Sequence, residues 1–161
     1  MYGQIPASLP PTRILGAGRL TPPPAAGRTG GLDRSPALGN RVAIVEDELM
    51  VAWSLEALVD DLGYEVVATY ARGEAAAAAI DDGQVDIVLM DINLGGGIDG
   101  VETARRLRKA QDLRIIFISA YADPETHRRI GIAVPGAPLL RKPVSTVLLA
   151  AALSGGAGPG G

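Results

Sequence analysis

Ile87-Val88-Leu89-Met90-Asp91-Ile92-Asn93-Leu94, followed at once by Gly95-Gly96-Gly97-Ile98-Asp99-Gly100, is the stretch that decides how this chain folds. Four apolar residues in a row suit a strand covered on both faces, as in a parallel sheet. Asp91 stands where such a strand gives way to a glycine-rich turn. Open α/β sheets collect their chemistry at that carboxyl edge, so the aspartate is the first candidate functional residue.

Upstream of this strand, read as Val85–Met90, an alanine-rich helix covers Glu74–Ile80 and closes at Asp81-Asp82-Gly83. Before it, Tyr64–Thr69 is rich in β-branched residues and reads as a strand. Val51, Leu55, Leu58 and Leu62 recur at helical spacing, with Gly63 suited to the helix end. Met50 and Trp53 lie off that stripe and are candidates to cover a homodimer surface or to pack against nearby loops. The first strand is Arg41–Val45, and Glu46-Asp47-Glu48 follows it.

Downstream, Val101, Ala104 and Leu107 mark a helix whose outer face carries Arg105, Arg106, Arg108 and Lys109. Ile115–Ile118 is a fourth strand, running into Ser119-Ala120-Tyr121. Asp123-Pro124-Glu125 is a strong helix start, with an N-cap aspartate and proline in the first turn. Pro135 and Pro138 stop that helix early. Pro138–Arg141 reads as a short fifth strand, and residues 145–153 as a last helix with Ser145 as its cap. Strand and helix alternate five times over short connections, which implies an α/β fold with a parallel sheet and helices on both faces.

Composition narrows the function. The 161 residues are 47% hydrophobic but only 4% aromatic, so aliphatic side chains must build the core. With no cysteine, disulfides, thiol nucleophiles and cysteine–zinc sites are excluded. No secretory signal or membrane span is legible, and the expected setting is the cytoplasm. Residues 1–40 hold seven prolines, seven glycines and a net charge of +3, and read as a disordered arm or as a start-site artefact. Residues 41–161 carry a net charge of −6, which disfavours direct contact with nucleic acid. The folded unit is expected over 41–153, with a flexible tail over 154–161.

In a five-stranded parallel sheet Glu46, Asp47, Asp91, Ser119 and Lys142 converge on one edge although they are far apart in sequence. Carboxylates gathered there repel one another unless a cation joins them. Oxygen donors without histidine or thiol suit a hard ion such as Mg²⁺. Such an ion offsets charge on a phosphoryl group in transfer, while a serine hydroxyl and a lysine ammonium bind its remaining oxygens. Asp91 is thus read as the acceptor of a phosphoryl group.

Val45-Glu46-Asp47-Glu48, Leu89–Leu94, Asp99-Gly100, Ser119-Ala120-Tyr121 and Lys142-Pro143, in this order, resemble the receiver domain of two-component response regulators. The resemblance implies a flavodoxin-like (βα)5 doubly wound sheet with strand order 2-1-3-4-5. It also implies phosphotransfer to Asp91 from a histidine kinase or a histidine phosphotransfer protein. By the same resemblance Asp47 holds Mg²⁺ directly, Glu46 through water and Asn93 through its carbonyl, with Asp91 also among the metal residues, while Ser119 and Lys142 contact the phosphoryl group. The Lys142–Pro143 bond is commonly cis in that family, a form whose cost only proline makes small.

One position departs from the pattern. Leu139 stands where family members usually carry a switch aromatic, and Tyr121 is the nearby aromatic instead. This combination is similar to the subgroup of single-domain and stress-response receivers that lack the usual switch, with Ser119, Tyr121 and Leu139 as the residues that would replace it. No output domain is legible, so output is expected through a downstream protein target, or the protein relays or drains phosphate. No catalysis on a diffusible substrate is expected. The alternatives are an Mg²⁺-dependent aspartyl-phosphate hydrolase and a receiver-like docking module that is never phosphorylated. Neither a G-x-x-x-x-G-K-[ST] nor a strand-linked G-x-G-x-x-G motif is present to support nucleotide binding. His127, beside Arg128 and Arg129, reads as a solvated side chain.

Overall fold

In the computed structural model β3 (Ile87–Asp91) is buried at all five positions. Its residues alternate between two cores, as the period of two in a strand requires. Ile87 and Leu89 face one cluster, and Val88 and Met90 face the other. The structure describes residues 39–155 except 82 and 122. Most of the segment read as a disordered arm, and most of the tail, therefore lie outside the described residues.

Around β3 the chain runs β1 (Arg41–Val45), α1 (Leu49–Asp61), β2 (Glu65–Tyr70) and α2 (Gly73–Ala79) before it. After it come α3 (Gly100–Ala110), β4 (Arg114–Ser119), α4 (Pro124–Ala133), β5 (Leu139–Arg141) and α5 (Thr146–Leu153). All neighbouring strands are parallel, in the order β2-β1-β3-β4-β5, the flavodoxin-like order expected from the sequence. Residues of α1 and α5 join the cluster of Ile44, Leu89 and Ile118, and residues of α2, α3 and α4 join that of Met90 and Phe117. Each fully buried aliphatic side chain contributes about 1.5–3 kcal/mol to this two-sided core. Leu89, 0% exposed at its centre, is a position where truncation to alanine costs about 2–5 kcal/mol.

Several boundaries and faces differ from the sequence reading. Gly63 takes φ +85 and its N–H donates to Asp60 O at 3.0 Å, while Tyr64 N–H donates to Val59 O at 3.1 Å. This Schellman arrangement keeps Tyr64 in the helix end, so β2 starts at Glu65. The buried row of α1 is Ala52, Leu55 and Val59, while Val51, Leu58 and Leu62 flank it half-buried. Ala52 is fully buried in that row, a placement that apolar spacing alone does not reveal.

β3 begins at Ile87 and not Val85, because Asp86 is bent into a bond with the start of β1. Its N–H donates to Arg41 O, and its carboxylate accepts from Arg41 N and Nε, at 2.9, 3.0 and 3.0 Å. Ser145 occupies the N-cap position of α5 but its hydroxyl caps nothing; its carbonyl accepts from Leu149 N–H at 2.9 Å. Asp99 and Asp123 do cap α3 and α4, accepting from Glu102 N–H at 2.9 Å and Thr126 N–H at 2.7 Å. Among the described residues no helix is long and apolar enough to cross a membrane.

Candidate functional site

The parallel register sets Val45 beside Met90 and Asp91 beside Ile118, so the residues that follow β1, β3 and β4 share one edge. Glu46 N–H extends the ladder to Tyr70 O at 2.9 Å, which draws its side chain inward. Glu46, Asp91 and Ser119 are all buried polar residues, at 1%, 4% and 1% exposure, whereas Asp47 stays exposed. Carboxylate oxygens of Glu46, Asp47 and Asp91 lie within 4.8 Å of one another.

Lys142, just past β5, spans this cluster. Its Nζ lies 2.7 Å from Glu46 Oε2 and 3.2 Å from Asp91 Oδ1. Both oxygens are buried and this shared ammonium is their one polar partner among the described residues, so each keeps acceptor capacity to spare. Burial pushes the Asp91 carboxyl above its ordinary range, and the Lys142 ammonium reverses this only in part. Glu46 is raised for the same first reason, burial, with Asp91 adding to it. Burial pulls the Lys142 ammonium down, but the hydrogen bond to Glu46 and the Asp91 charge outweigh it and raise the group. One ammonium is thus shared among more carboxylates than it can neutralise. An all-oxygen, anionic, partly unsatisfied set of this kind fits a small hard divalent cation.

The loop after Asp91 is held close to the site. Asp47 Oδ2 accepts from Gly95 N–H at 3.0 Å. Gly100 N–H donates to Ile92 O at 3.0 Å, and a Cβ on Gly100 would overlap the carbonyl oxygen of Asp91. Only glycine lets α3 start this close to the strand end. Asp99 also pairs with Arg129 of α4, which ties the loop to a second helix.

Ser119 sits at the site but its hydroxyl is turned into its own loop. It donates to Tyr121 O at 2.6 Å and accepts from Tyr121 N–H at 3.2 Å. The Asn93 amide lies 3.5 Å from Ser119 Oγ, too long for a strong bond. Tyr121 is 76% exposed, and Leu139 is half-buried against the core on the α4 side. The Lys142–Pro143 bond is cis. His127 is exposed, its Nδ1 3.0 Å from Asp123 O. Met50 is 67% exposed and Trp53 half-buried, in keeping with their place off the α1 stripe. Sequence reading brought the charged residues to this edge. It missed the backbone N–H of Gly95, since a main-chain donor leaves no mark in residue type.

A five-stranded parallel sheet in the order 2-1-3-4-5, with acidic residues after β1 and β3 and a lysine after β5, defines a receiver-type module. The model of the response regulator receiver domain family matches residues 42–154, and the chain belongs to that family. Receiver domains of this family are signalling modules. The chain is 33% identical over 94 residues to the phyllosphere-induced regulator PhyR of Methylorubrum extorquens, covering 58% of this chain. It spans about a third of that relative's length, 35%. Among solved structures it resembles the receiver (REC) domain of the Erythrobacter litoralis PhyR response regulator, with 30% identity and a TM-score of 0.62, over 72% of this chain and 88% of that one. The signal receiver domain of a modulated diguanylate cyclase from Desulfovibrio desulfuricans is 39% identical, with a TM-score of 0.66, over 71% of this chain and 90% of that one.

Proposed function

We propose that this protein is a phosphorylation switch in which Asp91 accepts a phosphoryl group from a histidine kinase or a histidine phosphotransfer protein in the cytoplasm. The observation that carries the reading is the shared ammonium: Lys142 Nζ lies within ion-pair distance of both Glu46 and Asp91, beside an exposed Asp47. In the transfer an Asp91 carboxylate oxygen forms a P–O bond as the donor's P–N bond breaks. The electron pair leaves with the donor imidazole nitrogen, which regains a proton from solvent. Lys142 binds and orients the phosphoryl oxygens, and its charge opposes the repulsion between the incoming anion and the carboxylates.

Glu46, Asp47, Asp91 and the backbone carbonyl of Asn93 are the groups to hold Mg²⁺. When bound, that ion supplies positive charge toward the equatorial phosphoryl oxygens. Ser119 reaches the phosphoryl group only by giving up its bond to Tyr121 O, which frees the Tyr121 segment to rearrange. With Leu139 in place of an aromatic, the Ser119–Tyr121 pair is the remaining route from the site to the surface, where a downstream protein target reads it.

Incubation with a small-molecule phosphodonor and Mg²⁺ should label the wild-type chain and leave Asp91→Asn unlabelled. A mutant that takes up label as fast as the wild type rules out Asp91 as the acceptor. For the switch, the Tyr121 ring resonances should move on phosphorylation. Unmoved resonances in a fully labelled sample exclude Tyr121.

A further inference from the structure

We infer that Glu74 is a positioning residue for the phosphoacceptor site, holding the loop between Asp91 and α3 through the N–H of Ile98. The inference rests on the reading of Asp91 proposed above. Gly95-Gly96-Gly97 cannot hold one shape unaided, since glycine keeps the widest backbone freedom; Gly96 and Gly97 take φ +69 and +98. Two carboxylates from outside the loop bond its main chain. Asp47 accepts from Gly95 N–H at 3.0 Å, and Glu74, in the first turn of α2, accepts from Ile98 N–H at 2.7 Å. Asp47 belongs to the cluster that fits a divalent cation, so its hold on Gly95 competes with that role. Glu74 has no such competing role and is the constant tie.

The surroundings are shaped to this bond. A side chain on Gly97 would overlap the Glu74 carboxylate. A Cβ on Gly73, the residue before Glu74, would overlap Thr103 Oγ1 of α3, and that hydroxyl donates to Asp99 O at 2.8 Å. Gly100 in turn abuts the carbonyl of Asp91. Close approaches therefore run unbroken from the first turn of α2, through the end of the loop, to the main chain of the acceptor. Hydrogen bonds to Ile98 N–H and to its own N–H hold the Glu74 carboxyl below its ordinary range, so the acceptor is ionised and the bond charge-assisted.

Glu74 itself is exposed, and an exposed carboxylate contributes little to global stability. Its loss should appear at the site and not in the melting curve. The test uses the full chain with Glu74→Ala and Glu74→Gln. In Glu74→Ala the Ile98 amide should exchange with solvent roughly tenfold faster. Phosphorylation by a small phosphodonor should slow by roughly tenfold, because small misplacements at a reacting centre are costly, while the thermal midpoint stays near the wild type. Glu74→Gln keeps an acceptor oxygen and should restore most of the rate.

Unchanged Ile98 exchange in Glu74→Ala overturns the inference, as does an unchanged rate once that protection is lost. A Glu74→Gln variant as slow as Glu74→Ala shows that charge and not the hydrogen bond matters, and also overturns it. A wild-type chain that takes no label overturns the phosphoacceptor reading and this inference with it. A labelled wild type beside an unaffected Glu74→Ala overturns this inference alone.

Discussion

The two edges of the sheet carry charge in opposite ways. At the amino edge Arg41 donates from Nε and Nη2 to Asp86, each at 3.0 Å, and from Nη1 to Gly83 O at 2.5 Å. Arg108 Nη1 bonds Asp112 at 2.7 Å and Leu113 O at 2.8 Å, and Arg114 Nη1 bonds Leu153 O at 2.6 Å. A cleft of about 470 Å³ opens among these residues, yet its charges are already matched. At the carboxyl edge Glu46 and Asp91 bury oxygens that share a single ammonium. Satisfied polar groups fasten a fold, whereas buried groups with spare capacity await a ligand. The cleft and the carboxylate cluster thus lie at opposite ends of the strands.

The sharpest way to break this contrast is to neutralise one residue at each edge. Asp91→Asn should abolish labelling while leaving the protein folded by circular dichroism. A labelled or unfolded Asp91→Asn would erase the distinction between a poised edge and a fastening one. Gly100→Ala forces a methyl against the Asp91 carbonyl and should cost about 1–3 kcal/mol in urea denaturation, as overpacking does.

Mg²⁺ at ten times its dissociation constant should stabilise the wild type by about 1.4 kcal/mol. Asp47→Asn should lose most of that gain and Arg41→Ala none of it, by thermal shift with and without the ion. Equal gains in all three proteins would place the ion elsewhere. Arg41→Ala should itself lower the thermal midpoint, as it removes the bonds to Asp86, with no change in labelling.

The smallest effect belongs to the two surface ion pairs of Glu102. Hydrogen bonds to Arg105 and Arg106 hold the Glu102 carboxyl at about 2 against an ordinary 4.5. Because the folded value is depressed, its contribution is complete above about pH 4.5 and disappears as pH falls through about 2. Glu102→Gln should flatten that part of the acid-denaturation curve slightly, and added salt should shrink the difference.

Much of the fold was readable because its signals are local. The apolar run Ile87–Met90, the cap residue Asp123 and Gly63 each act within a few residues, and the structure uses all of them as expected. The α1 stripe of Val51, Leu55, Leu58 and Leu62 does pack against the core, but Ala52 and Val59, buried beside it, do not stand out in the apolar spacing. The Ser145 hydroxyl was overread because the residue types that cap helices do not guarantee the bond.

Residue order and residue type thus settled the alternation of strands and helices, the parallel sheet, and the edge at which Glu46, Asp47, Asp91, Ser119 and Lys142 gather. Those follow from backbone periodicity and from the rule that strand ends in such sheets point one way. Tertiary structure alone decided that Lys142 is shared between Glu46 and Asp91, that Ser119 is turned toward Tyr121, and that Glu74 grips Ile98. Each of these depends on where a side chain ends after helices have settled against the sheet. Separations of 24 residues between Glu74 and Ile98, or of 96 between Glu46 and Lys142, leave no local trace of such contacts.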